Sequence, residues 1–296
     1  MRRRLTHALS AVFEGDAPAP LAVKVPQITV LFWVIKVTST AMGEALADWL
    51  DGGNGLVWPA LGAIASLAAL IVALRIQFRT RAYQTAAYWF AIAMVATFGT
   101  MGADSLHQFL GIPYGYTTAF YAVVLALVFW RWWVNEHTLS IHTIDSRRRE
   151  RFYWATVLAT FALGTATGDW TATDLKLGFF SSGLMFLGVI AIPAIAYRFG
   201  ANPIFTFWSA YVITRPLGAS FADWADYPKS AGGLGFGTWP VWMVLAVVMT
   251  TLVAVLARRE RDAVTSRPHH AHPHAPHPHL PHPHLPGVAA VETATD

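Results

Sequence analysis

Four aspartates stand at one spacing from four tryptophans. Asp48, Asp104, Asp169 and Asp223 each lie fifteen residues after Trp33, Trp89, Trp154 and Trp208, with no gap required. An aromatic residue precedes each tryptophan: Phe32, Tyr88, Tyr153 and Phe207. A glycine follows each at ten residues (Gly43, Gly99, Gly164, Gly218), and a small residue at fourteen (Ala47, Ala103, Gly168, Ala222). Carboxylates brought together from several segments would offer hard oxygen ligands, which favour Mg²⁺, Ca²⁺ or Mn²⁺ over softer metals, or would carry protons. The alternative is that each aspartate caps a turn or lies among lipid headgroups, yet a turn has no need of aspartate in all four copies.

Positions three, seven, eleven and fifteen after the tryptophan share one helix face. In the four copies this row reads Lys36, Thr40, Glu44, Asp48; Ile92, Ala96, Thr100, Asp104; Val157, Phe161, Thr165, Asp169; and Tyr211, Arg215, Ala219, Asp223. The copies share the aspartate and diverge deeper, where Glu44 joins the candidate ion ligands and Lys36 and Arg215 stand as counter-charges. An ionised group at mid-bilayer costs roughly 2.5–3.5 kcal/mol on insertion scales, so these deep charges are expected to face the interior and find partners. Lys36 and Glu44 are about 12 Å apart along one helix, at about 1.5 Å rise per residue, too far to pair directly. The five acids outnumber the two bases, and a bound cation or protons would make up the difference. His107 follows Asp104 by three residues, where the other copies have Asp51, Ala172 and Asp226. It is read as a helix-end histidine or a weaker metal ligand.

These residues need membrane helices to position them. The chain has 296 residues, 55% of them hydrophobic and 13% charged, and no cysteine. That charged share is about half the usual share of a soluble domain. Thiolate metal sites, disulfides and cysteine nucleophiles are excluded. Eight apolar spans can be drawn, about 28–50, 57–77, 86–110, 114–134, 152–173, 177–198, 204–226 and 238–257, several exceeding the roughly 20 residues that cross a bilayer. Backbone groups in lipid must be satisfied within the segment, so the expected fold is all-α, with eight transmembrane helices as four parallel two-helix repeats. The repeats cover about 28–77, 84–134, 150–198 and 203–257 within a membrane domain of residues 25–258, preceded by an arm of residues 1–24 and followed by a tail of residues 259–296. Two crossings return the chain to its starting side, so the motif helices point one way.

Seventeen of the 21 lysines and arginines fall in the N-terminal arm, the even-numbered connections and the C-terminal flank, and only Lys176 and Lys229 fall on the opposite side. The positive-inside rule then puts both termini in the cytosol. The glycine and the small residue four later form the small-xxx-small pattern of close helix packing, so Trp33, Trp89, Trp154, Trp208 and the four glycines are read as packing residues. The tail "PHHAHPHAPHPHLPHPHLP" holds His269, His270, His272, His274, His277, His279, His282 and His284. Such a tract is non-helical and has weak affinity for Zn²⁺, Ni²⁺ or Cu²⁺, unless it is simply low-complexity sequence.

Other chemistry finds little support. "TGDW" at 167–170 lacks the G-x-G-D and Tyr-Asp pair of intramembrane aspartyl proteases, and "GGLGFG" at 232–237 precedes a membrane span rather than joining strand to helix. No P-loop and no H-E-x-x-H occurs. The chain is expected to be neither an enzyme nor a nucleic-acid binder, and to have the bilayer and a metal ion or proton as partners.

The Trp–Gly–Asp repeat, with "KVPQIT" and "FW" leading in and "TRPLGASFADW" in the fourth copy, resembles a bacterial family of membrane proteins built from four tandem two-helix repeats. The resemblance covers about residues 24–258 and leaves out the His/Pro tail. It implies the architecture and a bacterial inner-membrane location, and because that family's function is not established it implies no mechanism. Two functions follow from the residues: a transporter or exporter of a cation, such as a divalent metal, or a scaffold or sensor whose buried polar groups lock helices together. A membrane-embedded enzyme using two carboxylates as acid and base is the third, weaker alternative.

Overall fold

The computed structural model describes residues 23–52 and 57–265. Residues 1–22 of the N-terminal arm and the tail histidines, His269 to His284, lie outside the described residues. Eight long helices are present, with no strand among the described residues: α1 Val30–Asp51, α2 Val57–Arg79, α3 Thr85–Leu110, α4 Tyr114–Glu136, α5 Arg147–Asp169, α6 Phe179–Arg198, α7 Pro203–Asp226 and α8 Thr238–Thr265. Polar residues start the helices where the sequence changes character. Thr29 accepts a hydrogen bond from the Phe32 amide at the start of α1, and Ser146 accepts one from the Arg149 amide at the start of α5. Asn202 takes the Ile204 and Phe205 amides of α7 just ahead of Pro203. Each bond satisfies an amide that the first helical turn leaves free. α3 ends at Gly111, whose φ of 64° reverses the chain.

Two boundaries differ from the apolar spans. α5 begins at Arg147, because a basic first turn extends the helix beyond the hydrophobic run, and α8 continues to Thr265 through a charged segment that holds no helix breaker. Six helices are long and apolar enough to cross a membrane: α1, α2, α3, α4, α6 and residues Thr238–Ala263 of α8. α5 and α7 are not among them. α5 opens on a charged turn and carries four threonines, α7 carries Arg215, Asp223 and Asp226, and both lie in the inner ring, packed on other helices.

The four motif helices form that ring: α1 packs on α3, α3 on α5, α5 on α7, and α7 back on α1. Every contact in it repeats with the same register. A Cβ added at Gly43 would strike Ala96; one at Gly99 would strike Phe161; one at Gly164 would strike Arg215; and one at Gly218 would strike Thr40. In every case the glycine at position ten of one copy receives the residue at position seven of the next, the fourth copy feeding the first. The aromatic residues do the same at the other end. Phe32 meets Trp89 at 5.6 Å between ring centroids, Tyr88 meets Trp154 at 5.6 Å, Tyr153 meets Trp208 at 6.1 Å, and Phe207 meets Trp33 at 5.7 Å. Contacts that are cyclic and in register can arise only if the four helices run parallel at one level.

The even-numbered helices form an outer layer, and each rests mainly on the motif helix of the following copy. α2 packs on α3, α4 on α5, α6 on α7, and α8 on α1. A sequence repeat is therefore not a packing unit: its second helix belongs spatially with its neighbour, so the ring is interlocked. At the basic end Lys24 is buried against Glu150 of α5 at 2.7 Å, and Gln77 of α2 donates to the same carboxylate at 3.4 Å. This ties the segment before α1, and α2 of the first repeat, to the third repeat.

Gly43→Ala should lower the unfolding temperature in detergent, because the added carbon meets the Ala96 backbone as well as its side chain, which cannot swing aside. The expected loss is about 1–3 kcal/mol, as for an overpacked core. Gly188→Ala on α6, where an added carbon meets nothing within 4 Å, should be neutral or stabilising by up to about 1 kcal/mol. Thermal unfolding of the two variants side by side checks the register.

Candidate functional site at the acidic end of the ring

The row that starts at the aromatic residue and recurs every four positions lines the ring's axis, and its burial follows that order. At the basic end Phe32, Tyr88 and Tyr153 are buried, with the Tyr88 and Tyr153 hydroxyls 2.5 Å apart. Lys36, Ile92, Val157 and Tyr211 come next and are fully buried. Lys36 Nζ lies 4.1 Å from the centroid of the Phe161 ring and 4.3 Å from that of Tyr211, and has no hydrogen-bond partner among the described residues. The two π faces are thus the immediate neighbours of its amino group.

One turn further, Arg215 reaches across the axis. Its Nη2 donates to Glu44 of α1, Thr100 of α3 and Thr165 of α5. All three acceptors occupy position eleven of their copies. Thr100 also donates to Glu44 at 3.0 Å. The fourth copy has alanine at position eleven and supplies the arginine from position seven instead. Glu44, too far from Lys36 on its own helix, thus has its partner on the helix of another repeat.

Above this knot the carboxylates converge. Single oxygen atoms of Glu44, Asp169 and Asp223 lie within 4.8 Å of one another, and so do those of Asp48, Asp223 and Asp226. Asp223 belongs to both groups. Asp104 is buried and lies within side-chain hydrogen-bonding reach of Asp169. Asp48 Oδ2, Asp223 Oδ1 and both oxygens of Asp226 are buried without a hydrogen-bond partner among the described residues. Buried polar atoms are normally paired, and unsatisfied carboxylate oxygens facing one another are what a cation or shared protons would satisfy. Oxygens spread over 4.8 Å suit an ion held at about 2.1–2.6 Å, the range of Mg²⁺ to Ca²⁺.

The sequence row left out several members. Asp226 stands one turn beyond Asp223 and closes the second group; its position was visible as the counterpart of His107, but its side chain could not be aimed from sequence. Thr100 and Thr165 sit at position eleven, the signal being that they share a level with Glu44. Tyr227, just past α7, has its phenol pushed well above its ordinary pKa, first by the Asp48 charge and then by partial burial, so it stays a neutral hydroxyl at the mouth. Beyond Asp169 the helix runs into a π-helical turn, Trp170–Asp174, a distortion frequent near functional sites. His107 takes no part in either carboxylate group. Its ring stacks on Tyr114 at 3.9 Å between centroids, and Nδ1 lies 2.9 Å from the Ile112 carbonyl oxygen, so that nitrogen holds the proton and donates it to the turn after α3. Asp51 is half-buried and at 3.5 Å from Gln108 at the edge of the cluster.

A search of curated proteins and one of solved structures find no match to the chain. A family model described as Repeat of Unknown Function (DUF347) matches four times, over residues 31–83, 87–138, 152–200 and 206–262. Each match spans one motif helix and the helix after it, so the internal repeat found by spacing, the four-membered ring and the family's unit coincide, and the chain belongs to the DUF347 family of repeats of unknown function.

Proposed function

We propose that the chain is a multi-pass protein of the bacterial cytoplasmic membrane whose eight helices all cross the bilayer, with both termini in the cytosol, and that it handles a hard cation at the outer end of its ring. The observation that carries this is the meeting of Glu44, Asp48, Asp104, Asp169, Asp223 and Asp226 around unsatisfied buried oxygens, with Arg215 as the one guanidinium beneath them. The lipid-averse helices α5 and α7 fit this reading, since the outer helices screen them. In the proposed mechanism a divalent cation or protons enter from the outer side, past Asp48 and Asp226. Asp223, common to both groups, passes the cation inward to Glu44 and Asp169. Arg215 competes with the cation for Glu44, which weakens inner binding enough to permit release, as conduction requires. Lys36, packed between aromatic rings below, fills the axis and blocks a cation travelling further until the ring rearranges. No catalytic role is assigned to any of these groups, and the protein is read as a transporter or exporter rather than an enzyme.

A specific observation favours a second reading. The axis at the basic end is filled by aromatic side chains and Lys36, and Arg215 has three acceptors within the protein. These contacts favour a non-transporting scaffold or sensor whose buried polar groups are structural and lock the helices together.

Proteoliposomes holding the purified full chain, challenged with Mn²⁺, Mg²⁺ and Ca²⁺, separate the readings. Transport predicts uptake of at least one ion, reduced about tenfold or more by Asp223→Asn or Glu44→Gln, a loss corresponding to about 1.4 kcal/mol. Binding in detergent without uptake supports a sensor, and absence of both binding and uptake overturns the transport reading in favour of the scaffold. The Arg215 knot makes a further prediction. Arg215→Leu leaves Glu44 charged and buried, so unfolding in detergent should show a loss of about 3–5 kcal/mol. Adding Glu44→Leu should recover much of it, because the uncompensated charge is gone.

A further inference from the structure

On the flank of the bundle, at the basic end, two adjoining cavities differ in chemistry. One, of about 200 Å³, lies between α2 and α5 over α3; its walls are apolar and include Leu70, Leu74, Val95 and Leu158. The other, of about 420 Å³, is lined by Arg75, Phe78, Arg79, Arg147 and Arg151. Phe78 and Arg151 line both, so the two form one cleft, basic above and apolar below. The fold explains the gap: α2 and α5 both rest on α3, and the cavity lies between them against the buried Val95.

The arginines are not matched by acids. Arg147 lies 3.5 Å from Glu150, but that carboxylate already holds Lys24 at 2.7 Å. Arg75, Arg79 and Arg151 are exposed and have no ion pair or side-chain hydrogen bond among the described residues. Four guanidiniums around one cavity repel one another and offer planar forks of donors suited to phosphate oxygens. A free phosphate would satisfy only the upper half, leaving the apolar half with nothing to fill it. A ligand carrying phosphate and hydrocarbon in that order along the membrane normal fits both.

We propose that this cleft is a binding site for an anionic phospholipid of the leaflet at the basic end. Arg75, Arg79, Arg147 and Arg151 hold the headgroup phosphate, Phe78 packs at the glycerol level, and one acyl chain runs down Leu70, Leu74, Val95 and Leu158. Basic pockets between membrane helices are a known form of anionic lipid recognition. The site is independent of the carboxylate cluster and of any transport through the ring. It also has no counterpart in the other copies, since only α5 carries arginines at 147, 148, 149 and 151 in its first turns.

The test uses the full chain in detergent and native mass spectrometry, with phosphatidylglycerol and phosphatidylcholine of the same acyl composition as probes. The wild type should retain phosphatidylglycerol preferentially. Arg75→Gln with Arg151→Gln should reduce that retention by about tenfold, while Arg258→Gln with Arg259→Gln, basic residues at the same end that line neither cavity, should leave it unchanged. Leu74→Trp, which fills the apolar half and spares every arginine, should also reduce it, and thermal unfolding confirms that each variant is folded. Equal retention of phosphatidylcholine would overturn the proposal. So would equal loss in the Arg258/Arg259 pair, or displacement of the lipid by millimolar inorganic phosphate alone, which would mark a plain anion site.

Discussion

Everything in the ring depends on how closely successive motif helices approach. In each copy the glycine at position ten takes the side chain at position seven of the next copy against its backbone, and the fourth does so with the first. In lipid there is little hydrophobic gain in pressing apolar helices together, and close van der Waals packing is what holds them. The four glycines set both distance and level. Because the contact always joins ten to seven, a helix cannot slip by a turn without losing both of its seats at once. The aromatic pairs at the basic end and the hydroxyl acceptors around Arg215 are then brought to common heights without further instruction.

That shared height is also what makes the axis costly. A row repeated every four residues on four parallel helices puts like residues together, and with aspartate at its end the row gathers acids. Polar side chains follow one another along the axis: Lys36 between Phe161 and Tyr211, Arg215 with Glu44 and two threonines, then the carboxylates. Arg215 meets three helices through Nη2 alone, and its buried Nε and Nη1 have no hydrogen-bond partner among the described residues. Lys36, deeper and without a hydrogen-bond partner among the described residues, has π faces in place of oxygen atoms.

Much of this was legible in sequence, for a physical reason: the repeat preserves spacing, and spacing on a helix is geometry. The Trp–Gly–Asp intervals gave four helices, their common direction and one polar face, and the membrane cost of Glu44 and Arg215 required that they have partners. Which partner could not be read. Glu44 meets Arg215 because α7 adjoins α1, and that closure depends on three-dimensional packing between residues 171 apart in the chain. Nor could the outer layer be read, since sequence order pairs α2 with α1, whereas packing places it chiefly on α3. His107 shows the opposite limit. Helical spacing put it on the face of Asp104, yet the helix ends within four residues and the ring turns to the Ile112 carbonyl. Near a terminus, the needs of an unpaired carbonyl outweigh the periodicity of the helix.

The ring is fourfold in its backbone seats and not in its polar contents, and the asymmetry falls where a mechanism would need it. Seats at position ten are glycine throughout, whereas position eleven is glutamate, threonine, threonine and alanine, and position seven is threonine, alanine, phenylalanine and arginine. A symmetric ring of four aspartates alone would face a single ion on the axis with equal, opposed ligands. Glu44 and Asp226 displace the acids toward α1 and α7, so the two carboxylate groups lie side by side, sharing Asp223, instead of forming one centred cage. Of the two adjoining groups, the one that includes Glu44 also contacts a tethered guanidinium through that glutamate. Helix packing needs no such asymmetry, for hydroxyls at all four positions would serve it equally well. Under the proposed function, the divergence of the copies at positions seven and eleven is what gives the ring an unequal interior, while the conserved glycine seats keep its packing.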